Sequence, residues 1–348
     1  MDDRGPGASE VTVAVLNYNG LRVLPSCLSS IKGLDSAPAE ILVVDDGSTD
    51  GSPTWVREHH PGVRVIELGI NSKRLNKVRN RALQAARCNV VLLVDNDVTI
   101  RADCLNELLR GLKTLPSAAV CMPRALYEHD PELIYQDGQE LHYVGTTMAI
   151  HRNAPLRDAS DAPRMSIGWG VQLIDKAKAA EVGFFNEDYV MGWGDDGEFN
   201  HKLNLIGYAC YHIPTAVVFH KRVAGARRYY GSIRNRWRFI LEMYHGRSLF
   251  LCAPALVLYE ISLIFFLLAK GAIGSYIRAM WDVAGDLRSI MTVRRRVQAR
   301  RGRRDAELMT CGRIFIAPEY VDSRILSTGF GALNHALDGY WRLIRRLL

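Results

Sequence analysis

The sequence predicts an α/β protein, in which a mostly parallel sheet flanked by helices is followed by a C-terminal helical extension. Three observations carry this. Apolar, β-rich runs alternate with helical patterns through the first 122 residues; the runs are continuously rather than alternately apolar; and a stretch of basic and apolar helical character begins after Tyr230. With 348 residues, 48% hydrophobic and 23% charged, the composition is that of a packed protein and excludes disorder.

The elements follow in order. Residues 1–10 are polar and Gly-rich and read as a flexible N-terminus. Strands are expected at VTVAVL (11–16), EILVVD (40–45), VRVIEL (63–68) and NVVLLVD (89–95), with helices over 21–31, 74–86 and 101–113. A strand buried on both faces needs no polar alternation, so these runs imply βαβ units with helices on both sides. Residues 11–122 therefore read as a nucleotide-binding half. From Pro123 to about Pro163 periodicity fades, which predicts loops and short antiparallel pieces over a binding face. A second half, 123–230, adds a helix through 199–205 and a strand ending at His220. Residues 231–348 form the helical extension, with a basic helix over 232–246 and the apolar run Ser248 to Ala269.

The net charge of +7 is unevenly spread, since the run from Arg294 to Arg304 alone holds seven arginines. Such a run suits an anionic surface, nucleic acid or membrane, or a solvated helix face. Seven scattered cysteines without a C-x-x-C pair suggest neither a disulfide framework nor a zinc site and fit a reducing cytosol. The N-terminus lacks the apolar core of a signal peptide.

Four segments carry chemistry. Asp95-Asn96-Asp97 follows the apolar strand directly, so two carboxylates stand at the carboxyl end of a parallel strand, where open α/β sheets bind ligands. Hard oxygen donors there suit Mg²⁺ or Mn²⁺ on a diphosphate, while capping of the next helix is the competing reading for Asp97. The segment Asp45-Asp46-Gly47-Ser48-Thr49-Asp50-Gly51-Ser52 ends a second strand and Asn17-Tyr18-Asn19-Gly20 a first; amides and carboxylates at three neighbouring strand ends suit a base edge and ribose hydroxyls, although each is also an ordinary turn. In Gly192-Trp193-Gly194-Asp195-Asp196-Gly197-Glu198, three carboxylates crowd beside an indole. Mutual repulsion raises the proton affinity that a general base needs, and the indole offers a platform for a sugar ring; capping of the helix 198–205 is the alternative for Asp195. His220, ending the run TAVVF, completes a carboxylate metal site if its strand returns past Asp97.

The order N-Y-N, V-D-D-G-S-T-D-G-S, R-N, D-x-D, G-x-D-D-x-E and a later His, from Val11 to Arg222, resembles a family-2 glycosyltransferase of the GT-A nucleotide-sugar-binding fold. The segment from Asn235 to Gln298 is similar to the C-terminal part of bacterial rhamnosyltransferase-like enzymes of cell-surface polysaccharide synthesis. The resemblance implies nucleotide-sugar contacts for Asn17, Asn19, Asp45, Asp46 and Arg79, with Asn80 beside them. It implies ribose and metal contacts for Asp95, the main metal carboxylate in Asp97, a metal or diphosphate ligand in His220, acceptor contacts from Trp193, Gly194 and Asp195, and the catalytic base in Asp196. The implied reaction is inverting and dependent on Mg²⁺ or Mn²⁺. The chain departs from the family after Asn71, where Ser72-Lys73-Arg74 replaces a Gly-rich loop, and Lys73 is assigned there to the diphosphate.

The implied donor is dTDP-rhamnose or a UDP-sugar and the acceptor a glycan on a lipid carrier. A sugar nucleotidyltransferase would open with a Gly-rich, cationic loop where Asn-Tyr-Asn-Gly stands. A catalytically silent, membrane-docked assembly or binding protein would have no use for the acids at 95, 97 and 196. The 22 residues from Ser248 to Ala269 would reach about 33 Å as a helix, enough for a bilayer core of about 30 Å. Arginines flank both ends, with Arg234, Arg236, Arg238 and Arg247 before the run and Arg278 and the Arg294 cluster after it, and Pro254 and Glu260 interrupt it. The expectation is therefore helices lying in or re-entering the cytoplasmic leaflet of the cell membrane, with arginines on anionic lipid and no nucleic-acid partner. The amphipathic stretch Asn334 to Leu348 repeats the pattern.

Overall fold

The computed structural model describes residues 7–221, 229–314 and 324–348. Arg222, where the resemblance ends, and residues 1–6 of the expected flexible N-terminus lie outside the described residues.

The first half is a run of βα units: β1 (Val11–Asn17), α1 (Leu24–Lys32), β2 (Glu40–Asp45), α2 (Ser52–His59), β3 (Arg64–Glu67), α3 (Leu75–Ala85) and β4 (Val90–Asp95). Their strands pair in parallel in the order β3-β2-β1-β4. All seven residues of β1 are buried, as a parallel strand covered on both faces requires. Asn17 pairs in register with Asp45 and Leu16 with Asp95, so the polar ends of three strands meet at one edge of the sheet. The segment 45–52 opens a helix that was not expected: Pro53, in the first turn of α2, is pre-set for helix and loses no bond there.

The chain continues with β5 (Val98–Ile100), α4 (Cys104–Thr114), β6 (Ala118–Tyr127), β7 (Asp130–Gln136), β8 (Gln139–His142), β9 (Thr146–Ala149), β10 (Arg164–Met165), β11 (Gln172–Asp175), α5 (Lys176–Glu181), α6 (Gly197–Leu205) and β12 (Ala209–His220). The large sheet extends from β4 through β11, β6 and β12 to β10. Strand β11 is antiparallel to both neighbours, so the second half is mixed, and helices flank a curled α/β sheet. The loop expected from Pro123 is instead the middle of a fully buried strand. Strand β6 tolerates Pro123 because the β6–β12 ladder shifts register between Ile213 and Val217, next to Pro123 and around Pro214, where neither ring has an N–H to donate. Short antiparallel pieces do follow: β7 hangs on β6, and β8 and β9 form a small second sheet.

The C-terminal part comprises α7 (Tyr229–Met243), α8 (Gly246–Ala269), α9 (Ile273–Gly285), α10 (Leu287–Ala299), α11 (Asp305–Leu308), β13 (Met309–Thr310) and α12 (Arg324–Ile344). It shares a core with the rest of the molecule: Phe239, Ile240 and Met243 of α7 pack with Leu141, Tyr143 and Tyr189, and with Leu256, Leu333 and Leu337 of the outer helices. Strand β13 joins β8 in the small sheet. The arginines expected to flank a membrane are spent differently. Arg234, Arg236 and Arg238 are buried and point inward. Glu260 turns inward as well, pairing with Arg236 and accepting from the Tyr276 hydroxyl at 2.7 Å. In the Arg294–Arg304 run, five of the seven arginines bond the protein's own groups, among them Arg294 to the carbonyls of Leu241 and Tyr244, Arg300 to Glu181 and Arg301 to Asp305.

Beyond its first turn, what α8 leaves bare is apolar. It is long and apolar enough to cross a membrane by length and composition. Phe250, Val257, Leu258, Ile261, Phe265 and Leu268 are exposed and recur at helical spacing along one face, Phe250 at 79% and Phe265 at 68%. On α9 Ile277 and Trp281, one turn apart, are exposed in the same way, Trp281 at 79%. Exposed apolar surface on this scale marks an interaction face.

Candidate active site

The crevice lies at the carboxyl ends of β1, β2 and β4. Asn17 is its floor rather than its wall. At 2% exposure, its amide donates to Asp45 at 2.7 Å and Ser52 at 2.9 Å, and accepts from Asn96 at 2.8 Å. Asp45, fully buried, also accepts from the Ser48 hydroxyl and amide. Asp46 accepts from the backbone and hydroxyl of Ser72, both at 3.0 Å, and so folds the 71–74 turn over the crevice. Asn19 is exposed, takes a positive φ of 48° and accepts from the Thr49 amide at 2.8 Å. Lys73 is exposed on the 71–74 turn, whereas Arg74 reaches away to the carbonyls of Glu187 and Asp188.

Beyond that floor Asp95 lies near both Asp97 and Asp196, and Asp195 near Asp95 and Asp196. Burial pushes Asp95 above the usual carboxylate range, with Asp97 and Asp196 adding to the effect and Arg79 and His220 opposing it. Asp97 is raised by burial as well. Asp195 is pushed up to about 7, first by burial and then by Asp196 and Asp95, against the pull of Arg79, whose Nη1 is 3.7 Å from Asp195 Oδ2. Asp196 occupies the N-cap position of α6 yet makes no side-chain capping bond, so its carboxylate is left for other work. Arg79 is therefore the cation that tempers two of the four acids, and it is held by Asn76 at 2.8 Å and stacked on Phe185.

His220 arrives as the sequence required. Strand β12 runs antiparallel to β5, pairing His220 with Val98, and brings His220 Nε2 to 3.6 Å from Asp97 Oδ2. Its Nδ1 is buried without a hydrogen-bond partner. The ring stacks on Tyr135 at 4.3 Å, and the Arg152 guanidinium lies over Tyr135 at 4.7 Å. Among the described residues no three His, Cys, Asp or Glu side chains are grouped so as to hold a metal ion by themselves. Tyr135 was invisible in the sequence. So was the work of Gly168 and Gly170, which lie against the carboxylates of Asp196 and Asp95 respectively; Gly168-Trp169-Gly170 is legible as a glycine-rich turn but not as their neighbour.

Trp193, Gly194 and Asp195 belong to the loop 186–196. The Trp193 indole N–H donates to Thr147 at 3.0 Å and the ring meets Phe239 edge-on, so it is fixed and half-buried. Gly194 takes φ 81°, a conformation that favours glycine. Helix α3 ties this loop to the crevice: Asn76 donates to the carbonyls of Asn186 and Asp195, and Asn80 to that of Phe185.

A mixed sheet whose strand ends gather amides, two acidic motifs and a returning histidine is the GT-A fold of a glycosyltransferase. Residues 12–169, a little under half of the chain, match the family described as Glycosyl transferase family 2, which supports a glycosyltransferase. It is 23% identical over 241 residues to an N-acetylglucosaminyl-diphospho-decaprenol L-rhamnosyltransferase of Mycobacterium tuberculosis (strain H37Rv), covering 62% of this chain and 77% of that one. Over 142 residues it is 28% identical to the glycosyltransferase EpsH of Bacillus subtilis (strain 168), covering 38% of this chain and 41% of EpsH, so it spans less than half the length of that relative. A crystal structure of GalNAc-T7 with UDP, GalNAc and Mn²⁺ superposes with a TM-score of 0.56 at 16% identity, covering 68% of this chain and 48% of that one.

Proposed function

We propose that this enzyme moves a sugar from a nucleotide-diphosphate donor, dTDP-rhamnose first and a UDP-sugar second, to a hydroxyl of a lipid-linked glycan during cell-surface polysaccharide synthesis, with inversion at the anomeric carbon. The gathering of Asp95, Asp97, Asp195 and Asp196 around Arg79 and His220 is the observation that carries it. The rhamnosyltransferase relative supports the choice of donor and acceptor.

Asn17 and Asp45 brace the crevice, Asn19 and Asp46 border the nucleotide, and Lys73 offers its charge to the diphosphate. Asp95, Asp97 and His220 are the groups we assign to Mg²⁺ or Mn²⁺, since hard carboxylate oxygens stand beside an imidazole whose Nε2 lies 3.6 Å from Asp97 Oδ2. Bound there, the ion would stabilise charge on the departing diphosphate. Trp193, Gly194 and Asp195 line the acceptor side. Asp196, free of capping duty, takes the proton of the acceptor hydroxyl as that oxygen attacks, and one in-line displacement inverts the configuration.

The apolar faces of α8 and α9 dock the enzyme in the plane of the cytoplasmic leaflet. A helix packed inward through Glu260 and outward through phenylalanines suits a bilayer surface better than a crossing. The arginine run contributes little to this, since most of it is bonded within the protein.

The experiment is a screen of nucleotide sugars for binding and transfer with Mg²⁺ or Mn²⁺, followed by NMR of the new anomeric centre. A donor that binds and an inverted product are expected. A retained configuration would overturn the mechanism, and failure of every nucleotide sugar to bind would leave the silent docking protein in its place.

A further inference from the structure

The loop 186–196 is held from two sides, and only one side is the crevice. On the other, α7 grips its backbone. Asn235 Nδ2 donates to the carbonyls of Val190 at 2.7 Å and Trp193 at 3.0 Å, while its Oδ1 accepts from the Val190 amide. Arg234 Nη1 donates to the Asp188 carbonyl at 2.7 Å, and Arg238 Nη2 to the Asp188 carboxylate at 2.9 Å. Each arginine then turns its other terminal nitrogen to one acceptor, Asp286 Oδ2, which Arg238 Nη1 reaches at 2.9 Å. Asp286 is the hinge residue between α9 and α10, capping the end of one and the start of the other. From the first turn of α10, Ser289 donates to the same Asp188 carboxylate at 3.0 Å.

Arg238 is completely buried and Arg234 nearly so. A buried guanidinium is costly unless paired; Arg238 also meets the buried Glu242 carboxylate at 3.1 Å, but Asp286 is the acceptor both arginines share, so the loop they hold is tied to a residue about ninety positions further along the chain. Resting on the assignment of Trp193, Asp195 and Asp196 to the acceptor side, we infer that Asp286 is a positioning residue for transfer: through Arg234 and Arg238 it sets the loop that carries the base. The α9–α10 junction is then a working part of the active site and not only an anchor. Helix α9 ends in this clasp and exposes Ile277 and Trp281 on its outer face, so the surface proposed to meet lipid and the loop that meets the acceptor belong to one rigid connection.

The test uses the full chain and reads hydrogen exchange, which needs no substrate. Asp286→Asn keeps the shape and removes the charge; exchange in 186–196 should accelerate about tenfold or more while β1 and β4 keep their protection. Asp286→Glu should restore most of it. Asp188→Asn, which breaks the clasp from the loop side, should reproduce the effect, and the double variant should add little to either single one. Affinity for UDP and dTDP should stay near that of the wild type, while transfer falls about tenfold through kcat or the acceptor KM. Unchanged exchange in 186–196, or acceleration spread equally over β1 and β4, would overturn the inference. If the wild type itself bound neither nucleotide, the functional reading would fall while the exchange result still judged the clasp.

Discussion

Gly170 and Asp95 touch so closely that a Cβ at position 170 would stand 2.2 Å from Asp95 Oδ2. The carboxylate is short and half-buried at the end of β4, so an added methyl would have to push it from its place. Gly170→Ala should therefore displace it, with a loss of transfer of about 10²-fold for a shift on the order of 1 Å. The measurement is kcat/KM beside a thermal midpoint. Near-wild-type turnover would show that the position of Asp95 is not critical.

Asp97 and Asp196 should fail differently. Asp97→Ala should weaken donor binding in the presence of Mn²⁺ and leave metal-free nucleotide binding alone. Asp196→Asn should bind donor normally and lose a factor of about 10² to 10⁴ in kcat. Titration calorimetry together with initial rates separates the two, and an active Asp196→Asn enzyme would move the base elsewhere.

Glu242 lies within the α7 network and is pushed up to about 8, first by burial and then by Glu198, against Arg238, Tyr189 and Lys202. Arg238 Nη2 stands 3.1 Å from Glu242 Oε1, but it is shared with the Asp188 carboxylate, and Nη1 goes to Asp286, so its pull on Glu242 does not offset the burial. The folded pKa of Glu242 lies above the unfolded value of 4.5, so the folded state binds the extra proton between the two. Stability from this group is fully present below about pH 4.5 and declines as pH rises towards about 8. Glu242→Gln imitates the protonated acid and should remove that slope, gaining on the wild type from pH 5 to pH 8. A difference in thermal midpoint that stays constant with pH would refute this assignment.

Phe265 and Trp281 give the docking face its test. Burying one such side chain contributes about 1.5–3 kcal/mol, or roughly ten- to a hundredfold in partitioning. Phe265→Glu and Trp281→Glu should each release the protein from phosphatidylcholine–phosphatidylglycerol vesicles by about that factor in sedimentation. Protein that never bound vesicles, or that formed a dimer lost on substitution, would assign this face to something other than lipid.

How much of this was legible follows from how far each residue's partner lies in sequence. The parallel core and its acidic ends were readable because VVLLV and Asp95 to Asp97 are local: an apolar run buried on both faces, then polar groups at its carboxyl end. The return of His220 to Asp97 was readable as a condition on strand direction. The arginines of α7 were misread as a basic flank because their partners, Glu260 and Asp286, lie 24 and 52 residues away from Arg236 and Arg234. Nothing local distinguishes a guanidinium that meets lipid from one that meets a distant carboxylate. Strand β6 was missed for the opposite reason, since Pro123 looks like a break until a second strand is seen to shift beside it.

The clasp at Asp286 also sets a clock for the enzyme. Protein is made from the N-terminus at about 5–20 residues per second, and domains tend to fold as they emerge. The sheet and all four acids are in place by residue 220, but the acceptor of the two arginines is not yet translated. On the proposed function, the strand-end crevice is therefore synthesised some seconds before the loop beside it can be fixed. The last pieces of the clasp arrive with the helices that carry the exposed apolar faces, so transfer and the proposed docking surface would be completed together.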